Sequence, residues 1–277
     1  MKNIITVACT GAIALLSVVT ISNMFNKSSS DENANTAAAQ AAVDYVSLAD
    51  NAVEPVTETA VNKTEITDKD TYYHKLLNTV DYYDAVSGKI ETNMLNGNDF
   101  TVEYSVDMLE GTAYQHVLSS DFDEEVFVGE GIVQTRNNLS EEKAVYRKDS
   151  AVKKSDDKGN YENDDKRVGT YNGAPAYEYR MNPTNLHYAS TLSIFPQEMT
   201  FGFLSDKSLW EISGEEELLG RNVIVVKGVT APEYGQKLNI NNFEMKIDST
   251  TGILLWFEGY NQAGECVSYM NTTEFSE

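Results

Sequence analysis

The chain has 277 residues, room for one large domain or two small ones, and 41% hydrophobic content permits a packed core. Its 43 acidic against 21 basic residues leave a formal net charge of −22. That excludes a nucleic-acid surface, which needs Lys and Arg to displace counterions, and electrostatic docking on anionic lipid.

One lysine precedes an uncharged run whose apolar part, Ile4 to Phe25, is about 22 residues long, enough to cross a ~30 Å hydrocarbon core. No small-x-small cleavage site follows directly. Residues 1–27 are therefore expected to be a signal-anchor, with a cleaved signal peptide as the alternative. Lys2 before the span, and Asp31 and Glu32 after Lys27, place the remainder outside the cell. "TVAC" at Thr6–Cys9 stands ahead of the main apolar region, so lipidation of Cys9 is not expected. Cys9 and Cys266 fall in different compartments on this reading, which leaves no disulfide, redox pair or metal site. Residues 28–68 are rich in Ser, Ala, Asn, Thr and Glu, with one Pro and no Gly, the composition of a disordered linker.

The folded domain spans 69–277. Tyr72, Tyr73, Leu76, Leu77, Val80 and Tyr83 recur at helical spacing, with Thr67 and Asp70 as a start signal and Gly88 as the stop. His74 is expected on the partly exposed side of this helix. "KIETNML" and "FTVEYSVDML" flank "NGND", a hairpin signature. Phe100, Val102, Tyr104, Val106 and Met108 share one face of the second strand, so that face is buried and the other wet. "TAYQHVLSS", "EEVFVGEGIVQTR" and "KAVYRKDS" read as three further strands. The charged stretch Val152–Arg167 is a solvated loop: Lys158 occupies an intervening position of an EF-hand loop and no distal Glu follows, so no calcium is expected.

Asn182–Ser213 is apolar and aromatic, broken by Pro183, Pro196 and Gly202. Connections normally run over the surface, so a segment this apolar must bury itself against the sheet. It either fills the core or lines an apolar cavity. A strand, an acidic turn at Glu215–Glu217 and a strand through Val223–Val229 follow. The rest, including "YGQKLNINN", completes a meander. Phe243, Met245 and Ile247 alternate with polar residues, and Ile253, Leu255 and Phe257 share a face after the turn at Ser249–Gly252.

Asp248, Thr251, Gly252, Tyr260, Gly264 and Phe275 form a turn grammar: an acidic residue, Thr-Gly, an apolar strand, a Tyr-to-Gly turn and a last strand ending in Phe. It resembles the C-terminal part of the LolA/LolB lipoprotein-carrier superfamily, which includes the N-terminal domain of the RseB/MucB periplasmic regulators. The resemblance covers about Asp70 to Phe275. It implies an α+β fold: a strongly curved antiparallel sheet, an incomplete β-barrel, wrapped around one or more helices. The concave side of such a sheet can hold an acyl chain. The shuttle role is not carried over, because a shuttle must leave the membrane. Linker and acidity together look like an extracytoplasmic protein of a Gram-positive bacterium.

His74, His116 and His187 are scattered without pairing, and neither G-x-S-x-G, a P-loop nor a dinucleotide fingerprint occurs. Asp123–Glu125 and Glu215–Glu217 read as solvated turns rather than paired catalytic carboxylates. The chain is thus expected to be no enzyme and to carry no cofactor. The expected function is a membrane-tethered extracytoplasmic binding or sensory protein. Its ligand would be a lipid or the acyl group of a lipidated protein, lined by Tyr104, Met108, Leu192, Phe195, Met199, Phe201 and Phe203. The alternative is a protein-interaction module meeting an envelope regulatory protein of a stress or anti-sigma pathway, with no small-molecule ligand.

Overall fold

The computed structural model describes residues 68–95, 97–147, 164, 167–171, 174–180, 182, 184, 186 and 188–277. The expected anchor, nearly all of the expected linker, His187 and most of the charged 152–167 stretch lie outside the described residues. Among the described residues no helix is long and apolar enough to cross a membrane.

Helix α1 (Asp68–Leu77) leads through a single 3-10 turn at Thr79–Asp81 into β1 (Ala85–Leu95). Five strands follow: β2 (Asn98–Asp107), β3 (Thr112–Leu118), β4 (Asp123–Gly129), β5 (Ile132–Asn137) and β6 (Lys143–Arg147). A separate hairpin, β7 (Val168–Tyr171) and β8 (Ala174–Tyr177), precedes α2 (Tyr188–Ile194) and α3 (Gln197–Leu204). The chain ends with β9 (Trp210–Leu218), β10 (Arg221–Val229), α4 (Pro232–Leu238), β11 (Asn242–Asp248), β12 (Leu254–Tyr260) and β13 (Cys266–Ser276).

Eleven strands form one open antiparallel sheet in the order β6-β5-β4-β3-β2-β1-β13-β12-β11-β10-β9. Two meanders are joined side by side where β1 pairs with β13. The sheet is not a closed barrel: β6 and β9 are its two edges. The chain must therefore travel from one edge to the other between β6 and β9, about 48 Å measured along the hydrogen-bonding direction at ~4.8 Å per strand. That journey is made by the β7–β8 hairpin and helices α2 and α3. Helix α2 touches β1, β2 and β12, and α3 touches α1 and α2. The core lies between these helices and one sheet face, where Val102, Tyr104 and Val106 alternate with exposed Glu103 and Ser105.

Several local expectations are corrected. Gly88 does not stop a helix; it sits inside β1, opposite Tyr104 and Phe275, and α1 has already ended at Leu77. "EEVFVGEGIVQTR" is two strands: Glu130 and Gly131 both have positive φ, 50° and 73°, so they make a tight two-residue turn that matches strand twist. Glu215–Glu217 and Asp123–Glu125 are strand residues, and the β9–β10 turn is Leu219-Gly220. "PEYGQKL" is helix α4, with Pro232 in its first turn and Asn239 closing it in the left-handed region at φ 55°. Cys266, at the start of β13, is exposed.

Candidate functional site

Of the seven residues expected to line a ligand, Tyr104, Phe195, Met199, Phe201 and Phe203 are buried, while Met108 and Leu192 are partly buried against the same core. They point to different places. Tyr104 crosses the bare backbone of Gly88: a Cβ there would lie 2.8 Å from its hydroxyl and 2.6 Å from the Glu274 carbonyl. Burial raises the Tyr104 phenol, whose hydroxyl has no hydrogen-bond partner among the described residues. Phe201 stacks on Tyr177 at 4.7 Å and meets Tyr179 edge-on at 5.2 Å. Phe203 packs among Phe243, Phe257 and Tyr234, each 5.0–5.1 Å away. These aromatic pairs add about 0.5–1.5 kcal/mol each beyond area burial, and they anchor α3 firmly.

Helix α2 is held differently. Ala189, Ser190, Ser193 and Ile194 are fully buried, so its packed side is mostly small and polar. Ser190 donates to Gln115 Oε1, yet the fully buried Gln115 Nε2 has no hydrogen-bond partner among the described residues. An unpartnered buried amide costs about 1–3 kcal/mol.

A buried polar network ties α1 to the edge-to-edge crossover. His74 Nδ1 meets Asp164, and Asn78 Nδ2 donates to both oxygens of Asp164 at 3.2 and 3.0 Å. Arg167 Nη1 adds a bond to Asp164 at 3.3 Å, and its Nε donates to the Glu178 carbonyl at 2.8 Å. Arg180 clamps Asp81 with bonds of 2.7 and 3.0 Å and reaches Asn78 Oδ1 at 2.9 Å. Gln197 receives Arg180 N–H at 2.8 Å and also binds Arg167. Burial works against the Asp164 charge, but His74, Asn78 and Arg167 hold its carboxyl below the usual range. His74 is thus buried rather than partly exposed, and Asp164 and Arg167 are not part of a solvated loop. A signal was present: His74, Asn78 and Asp81 lie four and three residues apart, on one helical face.

On the outer sheet face an open groove of 420 Å³ is lined by Ser87, Ser105, Ser276, Lys89, Glu103 and Tyr114 among others. Of the seven expected lining residues only Tyr104 borders it. His116 lies on the same outer side and bonds Asp123 Oδ1 at 2.9 Å. Among the described residues no cluster of three or more His, Cys, Asp or Glu could hold a metal ion.

No known protein family matches the chain, and no curated protein does. Solved structures similar to it include MucB and a LolA superfamily protein from Nitrosomonas europaea. The complex of MucA and MucB from Pseudomonas aeruginosa is 15% identical, with a TM-score of 0.40, covering 76% of this chain and 57% of that one. LprF from Mycobacterium bovis is 9% identical, with a TM-score of 0.35, over 74% of this chain and 92% of that one. An uncharacterized conserved protein from Thermus thermophilus is 9% identical, with a TM-score of 0.36, over 75% and 83%.

Proposed function

We propose that the chain is an extracytoplasmic, membrane-tethered binding protein that takes a lipid or a lipoprotein acyl group on the sheet face beneath α2. In this reading the open sheet wraps around the helices. The observation that carries it is the seat of α2: a seven-residue helix whose fully buried residues are Ala189, Ser190, Ser193 and a single large apolar side chain, Ile194, over an unpartnered Gln115 amide. Such a seat forgoes the roughly 1.5–3 kcal/mol that each buried large apolar side chain contributes. An acyl chain offers about 0.8 kcal/mol per CH₂. Sliding in beside α2, it would meet Leu192 of that helix and the buried face of β2 that carries Tyr104. Mass spectrometry of gently extracted protein and displacement of a fluorescent fatty acid test this. Co-purifying lipid and saturable displacement are expected; absence of both sinks the reading.

A second reading rests on a different observation. Edge strand β9 presents Glu215, Glu216 and Glu217 in an exposed row, an acidic strand edge suited to a basic envelope regulatory protein. In-cell crosslinking separates the two. Capture lost on charge reversal at Glu215–Glu217 but kept in Phe201→Ala supports the interaction module.

A further inference from the structure

Glu198, which keeps partial exposure, stands apart from the fully buried carboxylates. Asp81 meets Arg180, Asp164 meets Arg167, and Asp248 meets Arg221. Among the described residues Glu198 has no hydrogen bond and no ion pair, and burial alone pushes its carboxyl up to about 7.

Its surroundings are aromatic. Glu198 lies in the first turn of α3, one turn before Gly202. These two are the only α3 residues that keep partial exposure. The Tyr234 ring from α4 rests directly on Gly202, so close that a Cβ there would sit 2.4 Å from Tyr234 Cζ. Gly202 therefore makes the room that seats Tyr234 against α3, one helical turn beyond the acid. Tyr177 and Tyr179, at and just beyond the end of β8, flank the same helix through Phe201. The Glu198 charge acts on both Tyr179 and Tyr234. All three tyrosines are half-buried, so the group is reachable from solvent. Arg167 also acts on Tyr179, but its donors are committed to Asp164, Gln197 and the carbonyls of Leu77 and Glu178.

We propose that Glu198, Tyr177, Tyr179 and Tyr234 form a binding site for an alkylated ammonium ion of the choline type. The ammonium supplies the counter-charge that nothing in the described structure gives this lone carboxylate. Aromatic faces attract a cation through their quadrupole without needing its N–H groups, which favours a methylated ammonium over a primary amine. The site is independent of whether an acyl chain enters beneath α2.

Isothermal titration calorimetry on the full chain in a maltoside detergent, at pH 8, tests this with choline chloride, a short-chain phosphatidylcholine and methylamine. Saturable choline binding is expected, with methylamine weaker. Glu198→Gln and Tyr177→Leu should each weaken choline by about tenfold or more, while Glu110→Gln, on the exposed β2–β3 turn, leaves it unchanged. Phosphatidylcholine binding with the same variant pattern marks a lipid head group as the source; binding of choline alone marks a soluble ligand. No saturable choline heat from the wild-type chain overturns the site. So does choline binding that survives in a folded Glu198→Gln protein, checked by circular dichroism.

Discussion

Arg221 and Asp248 are locked together across β10 and the end of β11: Nε donates to Oδ2 at 2.7 Å and Nη2 to Oδ1 at 3.3 Å. Asp248 is 1% exposed, and its Oδ1 also accepts the Thr251 N–H at 2.7 Å and the Thr251 hydroxyl at 2.8 Å. One carboxylate thus orders the β11–β12 turn and fastens it to β10. Arg221 also reaches Glu277 and lies 5.7 Å over the Phe275 ring, so the end of β13 is gathered into the same knot.

Removing either partner leaves a buried charge or buried donors unmatched. Arg221→Ala is expected to cost about 3–5 kcal/mol by stranding the buried Asp248 carboxylate; Asp248→Ala leaves a partly solvated Arg221, so its cost comes mainly from the lost Thr251 bonds that order the turn. The pH dependence follows from the depressed pKa. Burial opposes the Asp248 charge, but Arg221 and Thr251 overcome it and hold the carboxyl low. Its stabilising contribution is complete above the unfolded carboxyl value and disappears as pH falls through the lower folded value. Thermal unfolding followed by circular dichroism from pH 7 to pH 3 should show a larger loss in the parent than in Asp248→Asn.

Glu198 has the opposite sign. Its folded carboxyl is raised to about 7 by burial, so ionising it penalises the native state. The penalty is absent below the unfolded value near 4.5, grows between there and about 7, and is complete above. A shift of this size corresponds to about 3 kcal/mol at most, less the screening that its residual exposure allows. Glu198→Gln should therefore raise the urea midpoint at pH 8 and leave it nearly unchanged at pH 4.5. Equal effects at both pH values would contradict this.

The clamp of Arg180 on Asp81 bears on how the crossover is held. Asp81 is 3% exposed, and Arg180 is its ion-pair partner among the described residues. Arg180→Met should cost about 3–5 kcal/mol by removing the ion pair of a buried carboxylate. Arg180→Met with Asp81→Leu should recover much of that loss, because two apolar groups remove both desolvation costs. A double-mutant cycle in urea measures the coupling; a near-zero coupling term would show that the two side chains act independently.

What was legible in the chain follows from the range of each signal. Alternation in β2 and the paired strands of the closing meander rest on period-2 burial and Gly-containing turns, which are local, and they were readable. Gly88 misled because glycine ends helices as readily as it opens space under a tyrosine, and only the pairing with Tyr104 and Phe275 decides between them. The polar network was hidden because its bonded members lie as far as 102 residues apart, as Asn78 and Arg180 do. Helix α4 was missed although Pro232 and Asn239 bracket it, since seven residues carry little periodicity. The cage around Glu198 depends on α3, α4 and the end of β8 meeting, which no spacing in the sequence announces.

The β9–β10 turn offers a gain rather than a loss. Leu219 and Gly220 both have positive φ, 54° and 73°, the geometry of a primed hairpin turn in which leucine is a poor fit. Leu219 is 38% exposed, so little packing is forfeited when it is replaced. Asparagine tolerates the left-handed region and gives the Asn-Gly pair that this turn favours. Leu219→Asn should stabilise the domain by roughly 0.4–1 kcal/mol, through relief of backbone strain rather than any new contact. Leu219→Val, β-branched and worse at positive φ, should destabilise it. Calorimetric midpoints that rise for Asn and fall for Val establish the turn type; a rise for both would mean that the exposed leucine, not its backbone, was the cost.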